Sequence, residues 1–512
     1  MENSSHAGII LIIKVDKLNA NISMNSPKQT NEVASNYRGT DKLIIGIVLA
    51  VITFWLFAQT TLNIAPVMGS DLKISHSLNN IAVTITALFS GLFIVVAGGL
   101  ADRVGRVKIT YIGLLFSVVG SLLIAISPSG TVVFLMAGRI LQGLSAACIM
   151  PATLALMQAY YEGKARQRAI SFWSIGSWGG SGFSALFGGL VASSIGWRWI
   201  FIFCILVSIA SYLLIRGTPE SKSSATAEKS FDWAGLVSFI ISLLSLNIVI
   251  GQGSALGWLS PAIVIGWAIF ILSAIVFFRI ETRRNNSFVD LSLFKNKTFS
   301  GATLSNFLLN GAAGTLLVSL ALVQEEAGLS SLQSGLITVG YLIAILSTIR
   351  VGEKLLQKMG PRKPMLLGCF ITGIGILLTS FTFLLAKEYI IVAFIGFTLF
   401  GVGLGFYATP STDAAVSNVP GDKAGSASGI YKMASSLGAA LGVAISAAIF
   451  YGLAKSKGTP PMADVFMGRT DNIEVRYAAG LALLFNVFMV VVAIIAILIT
   501  VPKTSPKEAI NN

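Results

Sequence analysis

The residues best suited to chemistry are ionisable groups set among glycines or buried in apolar runs. In Gly98-Gly99-Leu100-Ala101-Asp102-Arg103-Val104-Gly105-Arg106-Val107-Lys108 one acid stands among three cations, wedged between two long apolar segments. Glycine lets a backbone turn and approach its neighbours without a Cβ penalty. Gly98, Gly99 and Gly105 therefore suit a tight hinge, and Asp102 with Arg103 and Arg106 suits an ion-pair switch. Any short cytoplasmic loop collects Arg and Lys, but that reading does not call for the acid and the glycines. Further along, Arg139 sits inside an apolar run and is followed by Gln142 and Gly143. A guanidinium inside a spanning helix is costly unless paired or wetted, which points to a functional position, here proton coupling. The alternative is a structural arginine bonded to backbone carbonyls of a neighbouring helix. Lys432 lies about 10 Å deep in another apolar run and needs a partner, for which Asp413 is the candidate.

A binding pocket in such a chain has to be made of polar and aromatic side chains in mid-helix. Gln59 and Asn63, and likewise Asn306 and Asn310, recur at i, i+4 and so share a helix face. Trp173, Trp178, Phe307, Tyr407 and Tyr431 offer aromatic faces. Each has a plainer reading as well, since asparagine in a membrane often bonds a neighbouring helix and aromatics often mark the interface. The acids available to carry a proton are Asp102, Asp413 and the pair Glu325 and Glu326.

The elements that must position these residues are membrane helices. With 54% hydrophobic and 11% charged residues and a mean hydropathy of +0.80, the chain needs lipid as solvent. Fourteen apolar windows follow one another, at 43–64, 80–100, 109–127, 132–157, 169–194, 199–215, 234–251, 261–278, 299–323, 332–349, 365–385, 390–410, 428–451 and 477–500. Placing both termini in the cytoplasm puts most of the 36 Lys and Arg residues on that side, as the positive-inside rule requires. The net charge of +14 is thereby explained by anionic lipid, with no nucleic-acid partner. Met359-Gly360-Pro361-Arg362-Lys363 echoes Val104 to Lys108, and Pro410-Ser411-Thr412 echoes Pro151-Ala152-Thr153 at nearly the same offset. Such a repeat predicts two six-helix halves, 42–216 and 281–502, around a linker with two inserted helices, 217–280. The polar stretches 1–41 and 503–512 read as cytoplasmic tails, and Met24 is an alternative start.

Three signatures resemble the major facilitator superfamily, and within it the drug:proton antiporters with fourteen spans. The Gly98–Lys108 stretch resembles the superfamily's loop between its second and third helices. Leu135, Arg139, Gln142, Gly143, Ala146 and Ala147 match its helix-four motif, with Ser145 replacing a glycine. Gly176, Gly179, Gly180, Gly182, Gly188 and Gly189 resemble the antiporter helix, although Ser184 and Ala185 stand where that signature has Gly-Pro, and helix packing alone explains the glycines as well. The resemblance implies an all-α major facilitator fold in a bacterial cytoplasmic membrane. It also implies efflux of quinolones, tetracycline and biocides driven by the proton gradient, with Asp102 facing the start of the thirteenth helix near Ala424 and Gly425. Many fourteen-span relatives carry an acid in helix one, where Ala58, Gln59 and Thr60 stand here.

The expected partners are small amphipathic drugs, protons and lipid, with the chain acting as a monomer and requiring no cofactor. The two histidines and three scattered cysteines form no metal or disulfide pattern, which argues against an enzyme. Transport of a physiological solute or lipid by the same fold, or a receptor or scaffold role, remain alternatives.

Overall fold

A chain dissolved in lipid must satisfy its backbone polar groups within each segment, and helices do this. The computed structural model describes residues 37–503 apart from 75, 223–231, 284–290, 327, 330–335, 455–459, 462, 469 and 471. Most of the two expected tails therefore falls outside the described residues. The helices are α1 (Asp41–Ile52), α2 (Thr61–Leu72), α3 (His76–Val104), α4 (Arg106–Ala125), α5 (Val133–Tyr160), α6 (Gly163–Ser174), α7 (Gly180–Ser194) and α8 (Arg198–Ile215). After them come α9 (Trp233–Leu256) and α10 (Pro261–Arg283). The last are α11 (Lys297–Gly311), α12 (Gly314–Glu326), α13 (Val339–Met359), α14 (Arg362–Thr379), α15 (Ala386–Ser417), α16 (Ala424–Ala454) and α17 (Ile473–Thr500). Wider π-helical turns, Thr53–Ala58 and Ile175–Gly179, join α1 to α2 and α6 to α7.

Among the described residues, twelve helices are long and apolar enough to cross a membrane. Of the two other expected windows, 169–194 falls on α6–α7 and the part of 332–349 from 339 on falls on α13, residues 332–335 lying outside the described residues. Helices α6 and α7 are rich in glycine and serine, and α6 opens with Lys164, Arg166 and Arg168; α13 carries Arg350, Glu353, Lys354 and Lys358. These polar helices meet each other: the Arg350 guanidinium lies 4.7 Å from the Phe172 ring centre. A Cβ added at Gly179 or Gly182 would strike Leu346 or Leu342. On another face of the same helix Gly176 abuts Val48, and Gly180 abuts Trp55. These four glycines thus serve helix packing.

Helices α1–α8 and α11–α17 form two bundles, in contact chiefly through α3 with α16, α5 with α16, and α6 with α13 and α15. The pair α9 and α10 packs on itself, and α9 touches α3 and α16. The expected boundary at 280 cuts the last turn of α10, which runs on to Arg283. At the end remote from Asp102, Arg198 and the Trp197 N–H bond the Asp71 carboxylate. The Arg198 contact is the main reason that carboxyl sits below its ordinary range. What it adds to stability is present at neutral pH and is lost as the pH falls through the lowered value.

Close helix crossings make a direct test. At Gly143, where α5 crosses α3, an added Cβ would meet the Thr86 carbonyl and Phe89, whereas Gly189 has nothing within 4 Å. Gly143→Val should lower the melting temperature of the detergent-purified protein, by an overpacking cost of about 1–3 kcal/mol or more. Gly189→Ala should leave it unchanged or raise it slightly; scanning fluorimetry of both variants checks this.

Candidate functional site

Asp102 stands in the last turns of α3, just before Gly105, whose φ of +132° only glycine adopts easily. That turn sends the chain into α4 and lets α3 end against the start of α16. Asp102 is 1% exposed. Its Oδ1 accepts from the Gly425 N–H at 2.9 Å, and its Oδ2 accepts from the Ser426 N–H at 2.9 Å and the Ser426 hydroxyl at 3.3 Å. From its own side it receives Arg106 Nη2 at 2.9 Å and Nε at 3.2 Å. The carboxylate therefore caps the N-terminus of α16, where free N–H groups and the helix dipole favour negative charge. Gly98 and Gly425 permit it, because a Cβ on either would strike the other's carbonyl oxygen.

Arg106 extends the junction by donating to the Gly421 carbonyl in the second bundle and to Ser221 Oγ at 3.1 Å. Two more contacts cross the seam at the same end. Gln158 donates to the Val419 carbonyl at 3.0 Å, and Arg166 lies 3.6 Å from Asp413. The two bundles are thus closed on each other at the Asp102 end. Glu220, absent from the sequence-based candidates, anchors the hinge by accepting from the Val107 and Lys108 N–H groups at 2.9 and 3.0 Å. Its only sequence signal is an acid five residues beyond the end of α8.

Arg139 is 2% exposed and fully bonded. It donates to the carbonyls of Ala58 and Ala82 at 2.9 Å and of Val83 at 3.3 Å, to Thr61 Oγ1 at 3.0 Å, and to Gln142 Oε1 at 2.7 Å. Gln142 is held in turn by Ser121 at 3.3 Å. Gly143 lets α3 approach close enough for these bonds. Among the described residues no carboxylate lies within ion-pair distance of Arg139. The guanidinium pins the π-helical break between α1 and α2 onto α3, the structural alternative set out above.

Lys432 and Asp413 do not pair, contrary to the expectation. Asp413 accepts from Ser417 Oγ at 2.7 Å and faces Arg166. The Lys432 ammonium lies 4.1 Å from the ring centre of Trp173 on α6. Both faces are buried at the seam, where an aromatic face can take up a cation, and the Trp173 N–H donates to Thr153 Oγ1 at 3.0 Å.

The expected pocket residues divide between the bundles. Asn306, Asn310, Tyr407 and Tyr431 share one network in the second. Asn306 Nδ2 donates to Ser435 Oγ at 2.6 Å and to the Tyr431 carbonyl at 3.0 Å, and Asn310 Nδ2 donates to Asn306 Oδ1 at 2.9 Å. The hydroxyls of Ser305, Tyr407, Ser411 and Tyr431 continue it at 2.7, 2.9 and 3.0 Å. Phe307 is half-buried beside this network. In the first bundle, Gln59 is half-buried after the π-helical turn, and Trp178 packs on the core from the second such turn. Arg103 occupies the last turn of α3. The side chains of Asn63, Glu325 and Glu326 lie outside the described residues. Among the described residues no cluster of three or more His, Cys, Asp or Glu could hold a metal.

If Arg139 is a structural clamp, Arg139→Ala should remove the donor to the buried Gln142 Oε1 and the bonds that tie Ala58 and Thr61 to α5, at a cost of about 1–3 kcal/mol for the group left unpaired. Melting temperature and monodisperse yield should fall together with transport. Normal stability with drug export uncoupled from proton movement would instead mark Arg139 as a coupling residue.

A family model described as Major Facilitator Superfamily matches residues 43–443 and 302–511. The chain is 50% identical over 472 residues to "Quinolone resistance protein NorB" of Staphylococcus aureus strain MRSA252, covering 92% of this chain and 98% of that protein. It is 51% identical, with the same coverage, to the protein of that name from strain COL. Among solved structures, the proton:xylose symporter XylE superposes with a TM-score of 0.61 at 16% identity, covering 91% of this chain and 96% of that one. The human organic anion transporter MFSD10 superposes at 0.55 with 13% identity, covering 91% and 100%.

Proposed function

The chain belongs to the major facilitator superfamily, and on that premise we propose that it exports amphipathic drugs across the bacterial cytoplasmic membrane in exchange for protons. Quinolones head the proposed substrates, with tetracycline and biocides beside them. Support for a drug cargo comes from relatives at 50 and 51% identity that bear the name quinolone resistance protein over 92% of this chain. In this reading fourteen helices span the bilayer, both termini and the Asp102 end face the cytoplasm, and the chain works as a monomer without a cofactor. Loop charge supports that orientation.

The observation that carries the reading is the Asp102 clasp. It adds a few charge-dependent bonds at one end to the helix contacts by which the two bundles meet. A junction of that kind can open without unfolding either bundle, as alternating access requires. A proton taken up by Asp102 or Asp413 removes the negative charge on which closure rests. The cytoplasmic end then opens and admits drug, and loss of the proton restores the carboxylate and recloses the gate. Arg139, Gln142 and Gly143 keep the first bundle rigid while this happens. The network of Asn306, Asn310, Tyr407 and Tyr431, with Trp173, Trp178, Phe307, Gln59 and Asn63, supplies the polar and aromatic surface for the drug.

Asp102→Asn tests the clasp. The amide would place an NH2 among the donors of Ser426 and Arg106, with the loss of charge-assisted bonds worth about 1.5–3 kcal/mol. Quinolone export by inverted vesicles should fall more than about tenfold, while membrane insertion and yield stay at the wild-type level. Wild-type export by the variant would contradict the mechanism.

A further inference from the structure

Lys432 is a charged group for which the closing mechanism has no use. It is 5% exposed, eight residues into α16 from Ala424 and therefore about 12 Å from the clasp. Among the described residues no carboxylate lies within ion-pair distance of it. Its one close counterpart from the other bundle is the Trp173 ring at 4.1 Å. Burying a lone ammonium at this depth is costly, and an aromatic face offsets only part of that cost. One turn nearer the clasp on the same helix, the Ser428 hydroxyl is also fully buried and has no hydrogen-bond partner. An unpaired ammonium and an idle hydroxyl at i and i−4 share a helix face, and together they lack an anion.

We propose that Lys432 is the anchor for the carboxylate of the transported drug, so that this pump selects acidic and zwitterionic drugs over purely cationic ones. The proposal rests on the drug-efflux reading and adds the chemical class of the cargo. When a drug carboxylate arrives, Nζ leaves the Trp173 face for the stronger charge-assisted bond, and Ser428 donates a second. The vacated indole face is then open to the drug's own amine, which suits a molecule with an acid at one end and a base at the other. A cation with no acid has to share the same face with an ammonium, and the two repel.

The test uses the purified full-length protein and inverted vesicles, with a fluorescent quinolone carboxylic acid bearing a basic amine and with its methyl ester. The ester keeps the ring system and the amine and replaces the carboxylate with a neutral group. Wild-type protein should bind the acid about tenfold or more tighter than the ester. That ratio should fall to about one in Lys432→Met and stay well above one in Lys432→Arg. Equal or tighter binding of the ester by the wild type, no binding of the acid, or an unchanged ratio in Lys432→Met overturns the proposal. Should Lys432→Met not fold, the wild-type ratio and Lys432→Gln decide. Export is scored separately: a wild type that binds the acid with the predicted ratio but exports neither compound refutes the efflux reading and leaves the anchor standing.

Discussion

A single carboxylate at the N-terminus of one helix organises this molecule. Asp102 accepts two backbone N–H groups of α16 and the guanidinium of Arg106, and is almost wholly shielded from solvent. Those N–H groups are the ones a helix cannot satisfy for itself, so closing the seam meets a need that opening it exposes to water. The arrangement demands a helix start within bonding distance of another helix's end. That in turn demands glycine at 98 and 425, and a left-handed glycine at 105 to turn the chain away. These ionic bonds cross the seam beside the apolar contacts of α3 and α5 with α16, so a change of one charge can shift the balance between closed and open.

The remaining buried polar groups divide by how completely they are matched. Arg139 has five partners, among them the Ala58 carbonyl at the π-helical turn before α2 and the Ala82 and Val83 carbonyls of α3. A cation so fully satisfied stiffens its surroundings and has little left to offer a ligand. Lys432 is its opposite, a cation at the seam that among the described residues is matched by aromatic faces and by no carboxylate. In a low-dielectric setting the matched group serves structure and the unmatched one is available for ligand chemistry.

Much of this was legible in the sequence because it is local. The hinge could be read from Gly98 to Lys108, since glycine placement and an acid among cations are properties of one short stretch, and the resemblance to the superfamily led to Ala424 and Gly425 as its target. The helical windows followed from apolarity, which is weakest in α6–α7 and α13, whose seam-facing surfaces carry the charge and glycine that contact between bundles requires. Partners distant in sequence were not legible. Depth along α16 and the sign of its charge suggested Asp413 for Lys432, but rotation about the helix axis turns Lys432 toward Trp173 and leaves Asp413 to Arg166. Glu220 was missed for the same reason, because nothing near it in sequence indicates that it caps α4.

The dependence of closure on the Asp102 carboxylate is tested most directly by a distance measured across the clasp. Spin labels at Val104→Cys on α3 and Asp422→Cys before α16, in protein with its three native cysteines replaced, report the separation of the bundles by pulsed electron resonance. With Asp102 intact at neutral pH the distribution should be dominated by one short distance, and Asp102→Asn should move a large share of it to longer distances. A distribution left unchanged by Asp102→Asn would show that the bundles are held together by something other than this carboxylate.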